Sequence, residues 1–129
     1  MKLIFKPCDK KTYKKVVADT DVAAFHGKVL HEVCSTFSLA RDFEWSSRLF
    51  FIEMKEEDEE GVGTFLSIDH KSPAFVGEEI IFTATVVKID KNELTCMIEA
   101  RTGNRLIATG TTGQKMLKRD KLKQVFKKP

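Results

Sequence analysis

The hydrophobic period of this 129-residue chain changes once, and the change dictates what its layers can be. Over residues 35–54, Phe37, Ala40, Phe43, Ser47, Phe50 and Met54 recur at three- and four-residue steps, the spacing of one helix face. From Gly61 onward the period is two: Val62, Thr64, Leu66 and Ile68 alternate with Gly63, Phe65, Ser67 and Asp69. Leu94, Cys96, Ile98 and Ala100 alternate in the same way with Thr95, Met97, Glu99 and Arg101. The pattern predicts a short strand over 12–18, one long helix, then four strands over 61–69, 78–90, 94–101 and 105–117 joined by hairpins. Residues 22–34 are expected to be partly helical. A single helix against an antiparallel sheet is an α+β layer architecture. The helix carries more apolar surface than one buried stripe needs, with Phe37, Phe43, Trp45, Leu49, Phe50, Phe51 and Ile52 around most of its girth. It should be wrapped by the sheet or covered by a second subunit, which makes a homodimer the expected assembly.

Composition excludes several classes. Ten Phe in a chain that is 42% hydrophobic can fill a core, so disorder is excluded, and the length fits one domain over 1–129. No apolar run approaches the ~18 residues of a membrane span, and the opening MKLIFKPCDKK is too short for a secretory signal; a cytoplasmic protein is the expectation. Three Cys (Cys8, Cys34, Cys96) without metal-motif spacing argue against a disulfide framework or a zinc site, and His26, His31 and Glu32 are a poor metal signal. The formal charge of +3 hides two basic ends on an acidic middle. Such ends can hold a polyanion, either nucleic acid or the phosphates of a nucleotide-containing cofactor, or can simply be solvated. They lack the interleaved aromatics of a single-strand nucleic-acid surface. The run 55–60, KEEDEE, reads as an exposed loop.

Four residues could carry chemistry. Glu44 lies between Phe43 and Trp45 on an apolar helix, where partial burial would raise its pKa and make it a better base or nucleophile. Alternatively it is a surface Glu paired with Arg41 or Arg48. His70 closes a strand before a Pro-containing loop, placed either to shuttle a proton or to serve a structural bond. Thr36 is an N-cap candidate together with Ser35, or a hydroxyl turned toward a carboxylate or carbonyl. Gly61-Val62-Gly63-Thr64 has no phosphate-loop spacing; it is a flexible strand entrance, or offers the Gly63 amide to a carbonyl oxygen.

Together these residues resemble the single-domain hotdog-fold thioesterases, most closely the fluoroacetyl-CoA thioesterase group. The resemblance rests on Val33-Cys34-Ser35-Thr36 leading into a helix with Glu44-Trp45, on Gly63-Thr64 opening a strand that His70 closes, and on Gly110-Thr111 in the last strand. It runs from about Thr12 onward. It implies a hotdog fold and an acyl-CoA thioesterase, with Thr36, Glu44 and His70 catalytic and the Gly63 amide at the oxyanion. Coenzyme A is part of the substrate and no separate cofactor or metal is implied. Charge adds Lys115, Lys118 and Arg119 as candidates for the CoA phosphates. Two departures stand out: 27–30 lack the group's aromatics, and Gln114 stands where an arginine is expected. They point away from fluoroacetyl specificity and toward a broader or different short acyl group. A hotdog enoyl-CoA hydratase or dehydratase, and a non-catalytic acyl-CoA sensor, are the rival readings.

Overall fold

The period-two segments pair into one five-stranded antiparallel sheet, in the order Lys10–Val16, Glu79–Asp90, Glu93–Thr102, Arg105–Lys118 and Glu59–His70, around the single long helix. The computed structural model describes residues 1–129. Its elements are β1 (Lys10–Val16), β2 (Val22–Phe25), β3 (Lys28–Cys34), α1 (Thr36–Met54), β4 (Glu59–His70), β5 (Glu79–Asp90), β6 (Glu93–Thr102), β7 (Arg105–Lys118) and a short α2 (Arg119–Val125). This is the α+β hotdog architecture that the resemblance implied.

Helix α1 starts where its cap chemistry allows. Ser35 is extended and its Oγ accepts the Ser38 amide at 3.0 Å, so Ser35 is the N-cap and Thr36 the first helical residue. That leaves the Thr36 hydroxyl free for another partner. One face of α1 buries Leu39, Phe43, Phe50, Phe51 and Met54 against the inward residues of β5, β6 and β7, among them Phe82, Ile98 and Met116. Phe43 meets Phe82 edge to face at 6.0 Å.

Three expectations need correction. Residues 22–34 are not helical but form the hairpin β2–β3, a separate two-stranded sheet. His26 (φ 53°) and Gly27 (φ 78°) both occupy left-handed backbone at its tip, as a two-residue hairpin turn requires. Second, the last four strands are not successive hairpins. β4 pairs with β7, from Glu59 opposite Lys118 to His70 opposite Ala108, and is the sheet's edge. The chain after His70 crosses to β5 past the start of α1, where the Cys34 amide donates to the Ala74 carbonyl at 2.8 Å. Third, the acidic run is not all loop: Glu59 and Glu60 open β4. Glu59 is buried and accepts the Glu56 amide at 2.9 Å.

The basic ends are not merely solvated either. Phe5 packs edge to face on Phe50 at 4.9 Å, and α2 buries Leu122. No helix is long and apolar enough to cross a membrane.

Candidate active site

Thr36 and His70 meet where the helix begins and β4 ends. Thr36 Oγ1 lies 2.9 Å from His70 Nδ1, and His70 Nε2 lies 3.0 Å from the Ser72 carbonyl oxygen. A carbonyl only accepts, so Nε2 carries the proton. In the neutral ring Nδ1 is then the acceptor and the Thr36 hydroxyl donates to it. The backbone of Ser72 thus sets the tautomer and aims the basic nitrogen at Thr36. Thr36 is exposed and His70 half-buried, so the pair is open to a ligand.

Glu44 lies further along α1 and against a different part of β4. A Cβ built on Gly63 would sit 2.5 Å from Glu44 Oε1, so the carboxylate occupies the space that glycine leaves. The expected burial of Glu44 is not found: the residue is exposed, on the helix flank that faces the open edge strand. The expected alternative, a pair with Arg41 or Arg48, is not found either. Arg41 reaches Asp21 at 3.2 Å and Asp42 at 3.6 Å, while Arg48 binds Glu60 at 2.8 Å and the Gly61 carbonyl at 3.0 Å. Glu44 forms no ion pair.

One residue at this site was legible in the sequence only as a departure. Gln114 on β7 is 1% exposed, stands opposite Gly63 in the strand register, and donates from Nε2 to the Glu44 carbonyl at 3.1 Å and to Ser47 Oγ at 3.0 Å. A buried Gln inside a period-two strand was the available signal, since a buried amide demands partners.

The remaining sequence candidates lie toward the end of β7 and at the start of α2. Lys115 stands opposite Val62, next to Gly63, and binds Glu93 at 3.1 Å. Lys118 binds Asp58 at 3.0 Å, and Arg119 donates to the Glu57 carbonyl at 2.6 Å. All three are on the surface and away from the Thr36–His70 pair. Of the three free cysteines Cys8 is exposed and the other two are buried; burial pushes the Cys34 thiol up to about 11 and the Cys96 thiol up to about 12, which keeps both protonated.

Fold and site together define the class, the hotdog-fold thioesterases. The family model described as fluoroacetyl-CoA-specific thioesterase (FlK) matches residues 17–120, and the chain belongs to that family. Among solved structures, a Thermus thermophilus hypothetical protein described as a thioesterase superfamily member superposes with TM-score 0.92 at 25% identity, over 98% of this chain and 93% of that one. The fluoroacetyl-CoA thioesterase FlK superposes with TM-score 0.87 at 20% identity, over 97% of this chain and 98% of that one. A hot-dog-like protein from Thermanaerovibrio acidaminovorans gives TM-score 0.87 at 21% identity, over 97% and 96%. No curated protein matches the chain.

Proposed function

We propose that the protein hydrolyses short-chain acyl-CoA thioesters to the free acid and CoA, with Glu44, Thr36 and His70 as its catalytic residues. The observation that carries this reading is the Glu44 carboxylate. It is free of any cation, open to solvent, and set against Gly63, whose missing side chain leaves it room.

The two halves of the site also favour a second copy of the chain. Gly63 and His70 are seven residues apart on one strand, about 23 Å at ~3.3 Å per residue, and Thr36 and Glu44 are about 12 Å apart along the helix. Strand β4 is an edge, with Phe65 57% and Leu66 37% exposed, a surface that a second strand would cover. Antiparallel pairing of two β4 strands about a two-fold axis between Leu66 and Ser67 brings Gly63 of one copy opposite His70 of the other. Glu44 of one subunit and the Thr36–His70 pair of its partner then flank one thioester.

The chemistry balances without a metal. Glu44 takes a proton from water while the water oxygen bonds the thioester carbon; the oxyanion is held by the Gly63 amide; the C–S bond breaks and the proton passes to the CoA thiolate. In the covalent variant, the Glu44 carboxylate attacks first and the resulting anhydride is hydrolysed. Label found in the Glu44 side chain after a single turnover in ¹⁸O-water establishes the covalent route with water attacking the Glu44 carbonyl of the anhydride, since the general-base route puts all the label in the product acid. His70 accepts the Thr36 proton at Nδ1 and so orients that hydroxyl toward the reacting groups. Lys115, Lys118 and Arg119 meet the CoA phosphates by exchanging their present carboxylate and carbonyl partners for phosphate oxygens.

The test is free-thiol release from an acyl-CoA panel, short to long, with Glu44→Ala as control. Release from the short members that vanishes in the variant supports the reading. Binding of acyl-CoA with no release by the wild type overturns it in favour of a sensor. Hydration of an enoyl-CoA without thiol release overturns it in favour of a hydratase.

A further inference from the structure

The interior contacts of α1 are mostly apolar side chains packed on apolar side chains, which fix the helix's distance from the sheet better than its position along it. Charged side chains also tie the helix to the sheet, Lys15 to Asp42 at 2.7 Å and Arg48 to the Gly61 carbonyl at 3.0 Å, but one hydrogen bond reaches the helix backbone itself. Gln114 Nε2 donates to the Glu44 carbonyl, and it is the one place where a sheet side chain bonds the backbone of α1. The same nitrogen donates to Ser47 Oγ, one turn further on, and that hydroxyl itself donates to the Glu44 carbonyl at 3.0 Å. Both amide protons of Gln114 and the Ser47 hydroxyl therefore converge on a single helical turn.

The other end of this contact is equally specific. Gln114 is the register partner of Gly63, the residue whose absent Cβ makes room for Glu44 Oε1. Gln114 thus spans, through buried atoms, the two backbones that the Glu44 carboxylate lies between. Its Oε1 is buried with no partner, as is Thr112 Oγ1 two residues earlier. An amide placed at the cost of one unpaired acceptor needs a compensating gain. A methionine would fill the same volume without that cost.

We infer that Gln114 is a positioning residue for the reaction: it holds the backbone of Glu44 in register with Gly63 and so sets where the carboxylate meets the thioester. This rests on the reading of Glu44 as the reacting carboxylate. A displacement of about 1 Å in such a group costs up to about a hundredfold in rate while leaving binding largely intact.

The experiment is steady-state thiol release with the best short acyl-CoA by wild type, Gln114→Met, Gln114→Glu, Thr112→Val and Glu44→Gln, with melting curves for each. Gln114→Met is expected to lower kcat about ten- to a hundredfold with KM within about threefold. Thr112→Val, which changes the same strand face two residues away, is expected to keep wild-type kcat. In Gln114→Glu the protonated acid still donates to the Glu44 carbonyl, whereas the ionised form repels it. Its kcat should therefore fall as pH rises through the buried acid's pKa, a loss that the wild type does not show. A folded Gln114→Met with wild-type kcat beside an inactive Glu44→Gln overturns the inference and leaves the catalytic reading standing. An active Glu44→Gln overturns both. Should Gln114→Met not fold, a Gln114→Glu profile parallel to that of the wild type overturns the inference.

Discussion

Helix α1 carries two carboxylates two residues apart, and they live in opposite circumstances. Asp42 is 4% exposed and bound by Lys15 Nζ at 2.7 Å, with Arg41 beside it; Lys15 in turn binds Asp21, itself 2% exposed, at 2.9 Å. Every charge in that cluster has an opposite neighbour, and the cluster ties α1 to β1 and to the turn before β2. Glu44 points to the other flank of the helix, is exposed, and has no cation although arginines stand three and four residues to either side. The arginines are diverted, Arg41 into the Asp21–Asp42 cluster and Arg48 to Glu60 and the Gly61 carbonyl. A carboxylate that only stabilises is neutralised by its surroundings. Glu44, the reacting carboxylate of the proposed mechanism, is left free because its possible partners are engaged elsewhere.

Changes to the two sites should therefore fail in different ways. Glu44→Gln is expected to lower kcat for thiol release about a thousandfold with an unchanged melting temperature, because nothing in the fold depends on that charge. Asp42→Asn is expected to do the reverse. It leaves Lys15 with Asp21 alone and costs about 2 kcal/mol of stability in denaturant titrations, with near-normal kcat at temperatures where the variant is folded. Gly63→Ala should lower kcat about tenfold with little change in stability, since its Cβ meets only the end of a flexible side chain. Gly110→Ala would drive a Cβ into the Ser67 carbonyl oxygen, and should instead destabilise by about 3 kcal/mol.

The smallest expected effect is the paired cluster's share of the acid dependence of stability. Burial alone would raise the Asp21 carboxyl, but the Ala18 amide and the Lys15 ammonium more than offset it and hold it below the ordinary value of 3.8. A folded pKa below the unfolded one contributes stability that is fully present above the unfolded value. That stability is lost as pH falls through the folded value. Denaturant midpoints measured from about pH 6 down to about pH 2 should fall less steeply for Asp21→Asn than for the wild type.

How much of this was legible in the sequence follows from which features are local. The helix over 35–54 and the strands β5, β6 and β7 were readable because one face of each is buried and the period is enforced, whereas β4 was read from its residue types although 63–67 are exposed on both faces. The hairpin over 22–34 was not, because residues 24–32 are exposed on both faces and nothing enforces alternation there; only His26-Gly27 marked the turn. The place of β4 at the sheet edge was illegible for another reason, since pairing with β7 is a long-range choice that its own residues do not announce. At the site, Thr36, Glu44, Gly63 and His70 stood out through their resemblance to a family pattern, and the structure joins Thr36 to His70 and Glu44 to Gly63. That the two pairs lie apart in one chain, and that Gln114 backs one of them, depends on strand register and burial, which sequence spacing does not carry.

The central claim is that Glu44 of one copy and His70 of another serve the same thioester. Mixing chains tests it most directly: Glu44→Gln and His70→Ala, each differently tagged, are co-expressed and thiol release is measured on the mixture. Each variant alone is predicted to be inactive. Random pairing should restore about one quarter of wild-type activity, because half of the dimers are mixed and each mixed dimer holds one intact site. Mixed dimers recovered through both tags but without turnover would contradict the shared site, and wild-type turnover by either variant alone would contradict the catalytic assignment.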